Sequence, residues 1–212
     1  MIHTDIVVLG GGGHAKVLIA ILKKLHAYNI LGYTDPRQHG DILGIPYLGT
    51  DDALKAIRAD RSSCAAAIGI GTVRPSSLRA ERRQFLEALE FALPPIIAPT
   101  AIVNEDVEVG PATVIFDGVV VNSGSRIGRG VILNTNSTIE HDCTIEDDVH
   151  VAPGATLSGG VRVGTRCIVG VGATVIQSVS ICAECLVGAG ATVTENISQP
   201  GVYVGTPARR LR

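Results

Sequence analysis

Ile127-Gly128-Arg129-Gly130-Val131-Ile132-Leu133-Asn134-Thr135-Asn136-Ser137-Thr138-Ile139-Glu140-His141-Asp142-Cys143-Thr144-Ile145 is the stretch that decides the fold. Its aliphatic residues recur every six positions. Extending the step both ways gives Ile97, Val103, Val109, Ile115, Val121, Ile127, Leu133, Ile139, Ile145, Val151, Leu157, Val163, Val169, Val175, Ile181, Val187 and Val193. With an aliphatic at about one position in three, chance would give such a run on the order of once in 10^8. Four residues after each runs a second column: Val107, Thr113, Val119, Ser125, Val131, Ser137, Cys143, Val149, Ala155, Val161, Cys167, Ala173, Val179, Cys185 and Ala191, every member small or β-branched. Residues two apart in a strand share a face, so each small residue and the aliphatic that follows it point inward together. Short strands with turns between them, repeated every six residues, describe a β-solenoid, and three of them make a triangular coil of eighteen residues. The seventeen hexads fill a little under six coils, roughly 27 Å of prism at ~4.8 Å per coil.

Upstream of Pro94-Pro95 the pattern is different. Ile6-Val7-Val8-Leu9 suits a strand buried on both faces. Gly10-Gly11-Gly12-Gly13-His14 follows as a loop, and Val17, Leu18, Ala20, Ile21, Leu22 and Leu25 then recur at helical spacing. Ile30 to Tyr33 and Ala65 to Ile70 are further strands. Asp51 and Asp52 sit where helix caps belong before Ala53 to Ile57. Ser76 to Leu89 is expected to be an amphipathic helix with a basic outer face. Strand–helix alternation with short connections implies a small parallel sheet covered by helices. The division is therefore residues 1–95, a small Rossmann-like α/β domain, and residues 96–212, the solenoid.

Composition narrows the function. Eighteen basic against twenty acidic side chains leave a net charge of −2. No domain-wide positive field exists to displace phosphate counterions, so a nucleic-acid partner is not expected. No apolar run approaches ~18 residues, and Met1-Ile2-His3-Thr4-Asp5 lacks the basic start of a signal peptide; a cytoplasmic protein without a membrane span is expected. Five cysteines without a disulfide-scaffold spacing fit a reducing compartment. Cys182-Ala183-Glu184-Cys185 is a lone CxxC without the second ligand pair of a zinc ribbon, so no metal is expected. Cys143, Cys167 and Cys185 belong to the small inward column and are most simply core residues.

Three motifs spread over nearly the whole chain narrow the reading further: Gly11-Gly12-Gly13-His14-Ala15-Lys16, Ile139-Glu140-His141-Asp142-Cys143 and Gly205-Thr206-Pro207-Ala208-Arg209. With the hexads, they resemble the nucleotide-sugar N-acetyltransferases, such as the perosamine and bacillosamine acetyltransferases, and the related sialic-acid O-acetyltransferase group. The resemblance implies a left-handed parallel β-helix and a homotrimer with its active site at the subunit interface. It also implies an acetyl-CoA-dependent transfer onto the amine of a GDP- or UDP-linked amino sugar, in bacterial surface-glycan (O-antigen) biosynthesis. The neighbouring subgroup keeps O-acetylation of sialic acid open as the alternative. A non-enzymatic binding solenoid is a further possibility, and a metal lyase on the same prism would need three helix histidines where only His141 and His150 occur.

Transfer from a thioester to an amine needs a proton acceptor, a place for the developing oxyanion and a groove for the acyl carrier. His141 lies two residues past Ile139, at a turn position where a side chain leaves the prism, and an imidazole with a reference pKa near ~6.5 suits a base at neutral pH. Asp142, where the resembled enzymes often carry Glu, is placed to hold its ring. His150, between Val149 and Val151 of the inward columns, should face outward, half a coil from His141. If both serve one site, that site bridges neighbouring subunits, with His150 on the acetyl-CoA carbonyl or pantetheine. Gly159 lies one coil on from His141, and its backbone N–H is a candidate oxyanion donor. Gly170, Val171, Gly188 and Ala189, with Pro153, are expected to line the CoA groove, and Gly205 to Ala208 to meet the adenine end. The glycine loop at a helix start suits either a dinucleotide or the pyrophosphate of a sugar nucleotide. The resemblance favours the second, with Gly12, Gly13 and His14 near phosphates or sugar and Asp35 near the ribose or base. Asp35-Pro36 departs from the paired acids of the bacillosamine type, which leaves uracil and guanine open.

Overall fold

The computed structural model describes residues 3–61 and 63–211. The N-terminal part is a four-stranded parallel sheet of β1 (Thr4–Leu9), β2 (Tyr28–Thr34), β3 (Tyr47–Gly49) and β4 (Ala65–Ile68), in the order β3-β2-β1-β4. β1 runs through the centre and is buried from Ile6 onward, which explains its unbroken apolar run. α1 (Gly13–Leu25) covers one face, while α2 (Asp52–Asp60) and α3 (Leu78–Ala88) cover the other, where Leu54, Leu86, Phe91 and Leu93 close the core.

From Ile96–Ile97 onward, two-residue strands stack in register with the residue eighteen positions on, so that His150 pairs with Ile168 and Thr138 with Thr156. Three parallel sheets result, one on each face of a prism. Each hexad's aliphatic and small residues fill the interior; Thr113, Ser125 and Ser137 are fully buried there alongside Val119, Cys143 and Ala155. What turns the chain at each corner is a residue three after the aliphatic. All fifteen such positions from Asp106 to Gly190 have a left-handed backbone, φ 56° to 75°, and most are Gly, Asp or Asn, which tolerate it. The glycines one residue after the aliphatic have another cause: a Cβ at Gly110, Gly164 or Gly170 would come within 2.6 Å of backbone in the next coil.

The three faces differ outside. On the first, Ile96, Val114 and Ile132 point outward and are buried because α1 lies on them; Leu18, Ile21 and Leu22 share a cluster with those residues and Phe116. The N-terminal domain is thus clamped to the lower coils of that face. The second face carries Ile102, Val120, Thr138, Thr156, Thr174 and Thr192 outward, without a charge. The third carries Glu108, Arg126, Thr144, Arg162 and Ser180. At the C-terminus, Gly201–Val204 adds to the first face and turns back into Arg209–Arg210, which pairs with it antiparallel and blunts the open edge.

Two expectations are corrected here. The third helix does not turn all three of its arginines to solvent: Arg79 and Arg83 are buried between the domains. Arg83 pairs with buried Asp148 of the prism at 3.1 Å, and Arg79 donates to the carbonyls of Ile68, Ile70 and Gly130. A guanidinium can sit there because its donors meet a carboxylate and carbonyls. Asp51 occupies the N-cap position of α2 but makes no capping bond; its carboxylate accepts from Thr34 and Arg82 instead.

Candidate active site

His141 and Asp142 stand on the corner between the second and third faces. Asp142 takes the left-handed turn position, φ 59°, and its Oδ2 accepts from His141 Nδ1 at 2.8 Å. With Nδ1 carrying the proton, the neutral ring keeps its lone pair on Nε2. The hydrogen bond that the ring donates to the Asp142 carboxylate raises the imidazole above its ordinary pKa, opposed by desolvation and helped by the Asp142 and Glu140 charges. Glu140 is itself held by a ladder along the corner, Asn104 to Asn122 at 2.7 Å and Asn122 to Glu140 at 2.9 Å. The ring lies directly over Gly159, where a Cβ would be 2.6 Å from Nε2. No hydrogen bond to the Gly159 amide is formed among the described residues. His141 and Asp142 side chains are 65% and 70% exposed, so within one chain the pair faces open solvent. Cys143, next in sequence, points into the prism.

His150 departs from expectation. It does leave the prism, but beneath the N-terminal domain, and it is buried. Its Nδ1 lies 2.7 Å from the Thr72 carbonyl, which can only accept, so Nδ1 bears the proton. Its Nε2 then accepts from Asn134 Nδ2 at 3.1 Å, and the Asn134 orientation is fixed because its Oδ1 accepts the Thr135 amide at 2.8 Å. Burial lowers the His150 pKa, opposed by the bond to Thr72. Both ring nitrogens are therefore engaged, and the free N–H that points away from them belongs to Asn134. Sequence reasoning passed over Asn134; its place one residue after Leu133, beside His150 in the next turn of the coil, was the available signal. His14 packs beside this cluster, its ring stacked on Phe116 at 5.1 Å, and Nε2 is sealed without a partner. Burial, reinforced by Arg79 and His150, holds its pKa down to about 3.

α1 begins with Gly12 at its N-cap and no side chain capping it, which leaves first-turn amides free to face an anion. They open on a cleft of about 390 Å³ lined by Gly11, Gly12, Gly13, Lys16, His39, Asp41, Ile42 and Leu43. A Cβ at Gly12 or Gly13 would meet nothing within 4 Å, so the space in front of them is real. Asp35 lies behind this cleft with both oxygens occupied: Oδ2 accepts the Gly11 amide at 2.8 Å, Oδ1 the Arg37 amide at 2.9 Å and His39 Nε2 at 3.3 Å. Burial works to raise its pKa, and these bonds outweigh it and hold it low.

Gly170, Val171, Gly188 and Ala189 lie on the corner between the first and second faces, with Pro153 one coil below Val171. Val171 is 56% exposed. The column that runs from Ala98 through Phe116 and Asn134 continues as Ala152, Gly170 and Gly188, so from Phe116 on its side chains shrink away from the N-terminal domain. Gly205 to Ala208 sits at the far end of that column, where Thr192 N donates to Gly205 O and Ala208 N to Thr192 O. The structure thus brings His14, Phe116, Asn134, His150 and the glycine loop together along one corner, and places His141, Asp142 and Gly159 on another.

Residues 5–79 match the PglD N-terminal domain family, and residues 124–159 and 142–177 match the bacterial transferase hexapeptide family (six repeats). Over the whole chain, a histidine-to-asparagine variant of perosamine N-acetyltransferase from Caulobacter crescentus, in complex with CoA and GDP-perosamine, is 33% identical with a TM-score of 0.92. The match covers 98% of this chain and 97% of that one. This chain belongs to the hexapeptide-repeat sugar N-acetyltransferases. The acetyltransferase is also similar to the acetyltransferase domain of PglB from Neisseria gonorrhoeae FA1090, at 31% identity and a TM-score of 0.90, covering 99% of this chain and 100% of that one. A structure of that domain in complex with acetyl coenzyme A is similarly alike. WeeI from Acinetobacter baumannii AYE, at 24% identity and a TM-score of 0.87, covering 98% of this chain and 100% of that one, shares the fold. The acetyltransferase is thus an acyltransferase whose prism is a left-handed β-helix. Among the described residues, no helix is long and apolar enough to cross a membrane, and no group of three His, Cys, Asp or Glu could hold a metal.

Proposed function

We propose that the acetyltransferase moves the acetyl group of acetyl-CoA onto the amine of a GDP- or UDP-linked amino sugar, in a ternary complex without an acyl-enzyme. The observation that carries the reading is the His141–Asp142 pair, ring protonated toward the carboxylate and Nε2 bare over Gly159. The amine nitrogen attacks the thioester carbon, His141 Nε2 takes the proton that nitrogen sheds, and the carbon–sulfur bond breaks to release CoA, whose sulfur takes up a proton. The Gly159 amide, free of any other bond, is placed to donate to the oxyanion. Asn134, oriented by His150, offers its remaining N–H toward the acyl end of the carrier on the other corner. The pyrophosphate of the acceptor takes the α1 amides and Lys16.

A homotrimer completes this site. The two corners flank the uncharged second face, whose Ile102, Val120 and four threonines suit packing against another copy better than water. A rotation about an axis along the prism keeps coils level, so His141 of one protomer meets the Asn134 coil of the next. Replacing His141 by Asn keeps a polar group but removes the base; CoA release with an amino-sugar nucleotide is expected to fall by about 10²-fold or more, with the fold intact. Near-normal turnover by that variant would overturn the assignment.

A further inference from the structure

The loop from Asp35 to Leu43 forms one wall of the glycine-loop cleft, and it is tied at every step. Tyr33 Oη donates to Gly40 O at 2.6 Å and accepts the His39 amide at 3.1 Å. Ile42 and Ile45 exchange backbone bonds, and Lys23 Nζ donates to Leu43 O at 2.6 Å. His39 is the polar ring that this wall presents. Its Cδ2 packs 2.9 Å from where a Gly11 Cβ would be, so its ring stands beside Gly11 of the loop. With Nε2 bonded to Asp35 Oδ1, the neutral ring carries its proton on Nε2 and leaves Nδ1 as an acceptor. Asp35 already accepts three hydrogen bonds, two on Oδ1 and one on Oδ2, so most of its carboxylate is committed within the loop.

We propose that His39, rather than Asp35, reads the nucleoside of the acceptor, accepting at Nδ1 a hydrogen bond from a base N–H or a ribose hydroxyl, while Asp35 acts only as the group that positions it. The inference rests on the glycine-loop cleft being the sugar-nucleotide site and adds the residue that recognises the nucleoside there. A rigid acceptor, already oriented before the ligand arrives, recognises a donor at low ordering cost.

The test is calorimetric titration of GDP and of UDP into the wild-type protein and into His39→Ala, His39→Leu and His39→Gln, with melting curves to verify folding. The tighter of the two nucleotides is expected to bind His39→Ala and His39→Leu about tenfold more weakly, and His39→Gln, whose side-chain oxygen can accept, within about threefold of wild type. With the full reaction, KM for the sugar nucleotide rises in the Ala and Leu variants while kcat and KM for acetyl-CoA hold. Wild-type affinity in His39→Ala overturns the inference. Affinity lost in Ala but kept in Leu also overturns it, because bulk and not the acceptor would then be what matters. A wild-type protein that binds neither GDP nor UDP overturns the placement of the nucleotide in this cleft and the inference with it.

Discussion

Gly159→Ala is the sharpest perturbation the active-site geometry offers. The added methyl would lie 2.6 Å from His141 Nε2, 2.7 Å from Cε1 and 3.2 Å from Cδ2. Ordinary carbon contacts begin near ~3.5 Å, so the ring must withdraw by about 1 Å. It can do so, because the His141 side chain is mostly exposed and nothing else wedges it. The backbone at Gly159 is not left-handed, so alanine brings no conformational strain and the coil should stay intact. A displacement of about 1 Å in a reacting group is worth on the order of 10²-fold in rate. We expect kcat for CoA release to fall by roughly that factor at saturating acetyl-CoA and acceptor, with the melting temperature little changed.

The pH profile separates displacement from a mere loss of the oxyanion donor, since alanine keeps the backbone N–H. A ring pushed off Asp142 loses the bond that raises its pKa, so the acid limb of kcat/KM should move downward toward the ordinary imidazole value. Wild-type kcat in a folded Gly159→Ala protein would refute the placement of His141 Nε2 over that glycine as the reacting geometry. A reduced kcat with an unmoved acid limb would refute the link through Asp142.

Asp142→Asn keeps a residue that tolerates the left-handed turn but removes the charge. In the proposed mechanism the base works in its neutral form, so activity should rise with pH through the raised His141 pKa, and the substitution should shift that limb to lower pH while cutting kcat about tenfold or more. Co-expressing His141→Asn with Gly13→Glu, whose carboxylate would face the phosphates, tests the composite site: if base and cleft come from different protomers, randomly mixed trimers should regain about a quarter of wild-type activity, and if they come from one chain, none. For His14 the sign follows from its depressed pKa of about 3. It contributes stability that is fully present above the unfolded value near ~6.5 and is lost as pH falls toward 3, by up to about 1.4 kcal/mol per pH unit for one proton. His14→Phe, which keeps the stack on Phe116, should flatten the fall of melting temperature between pH 6.5 and 4, and an unchanged slope would refute the burial assigned to this ring.

Period and chemistry were legible in the sequence to different depths. The inward columns could be read because an interior residue's constraint repeats with each hexad and needs no knowledge of what lies outside. The turn column could have been read too: Asp106, Asn136, Asp142 and Asp148 alternate with glycines such as Gly124, Gly130 and Gly160 at a step of six, the mark of a left-handed corner. What the sequence did not carry was docking. Arg79 and Arg83 look like a solvated stripe until Asp148, 65 residues after Arg83, is brought against them. His150 looks exposed on a bare prism and becomes buried only because the loop at Thr72, 78 residues away, closes over it.

That same docking decides what each candidate residue is free to do. A histidine whose two nitrogens are spent on Thr72 and Asn134 cannot act as a donor to a thioester, so the work first given to His150 passes to the asparagine it orients. An aspartate whose oxygens already hold Gly11, Arg37 and His39 has most of its acceptor capacity committed, so in the proposal above recognition falls to the imidazole it holds. His141 keeps an unspent nitrogen in the open, held from behind by its own neighbour in sequence. In the proposed homotrimer the neighbouring protomer supplies the rest of the cleft, since Asn134 and the α1 amides lie along a different corner of the prism. Trimerisation and catalysis are on this reading one requirement, and the mixed-trimer activity measures both at once.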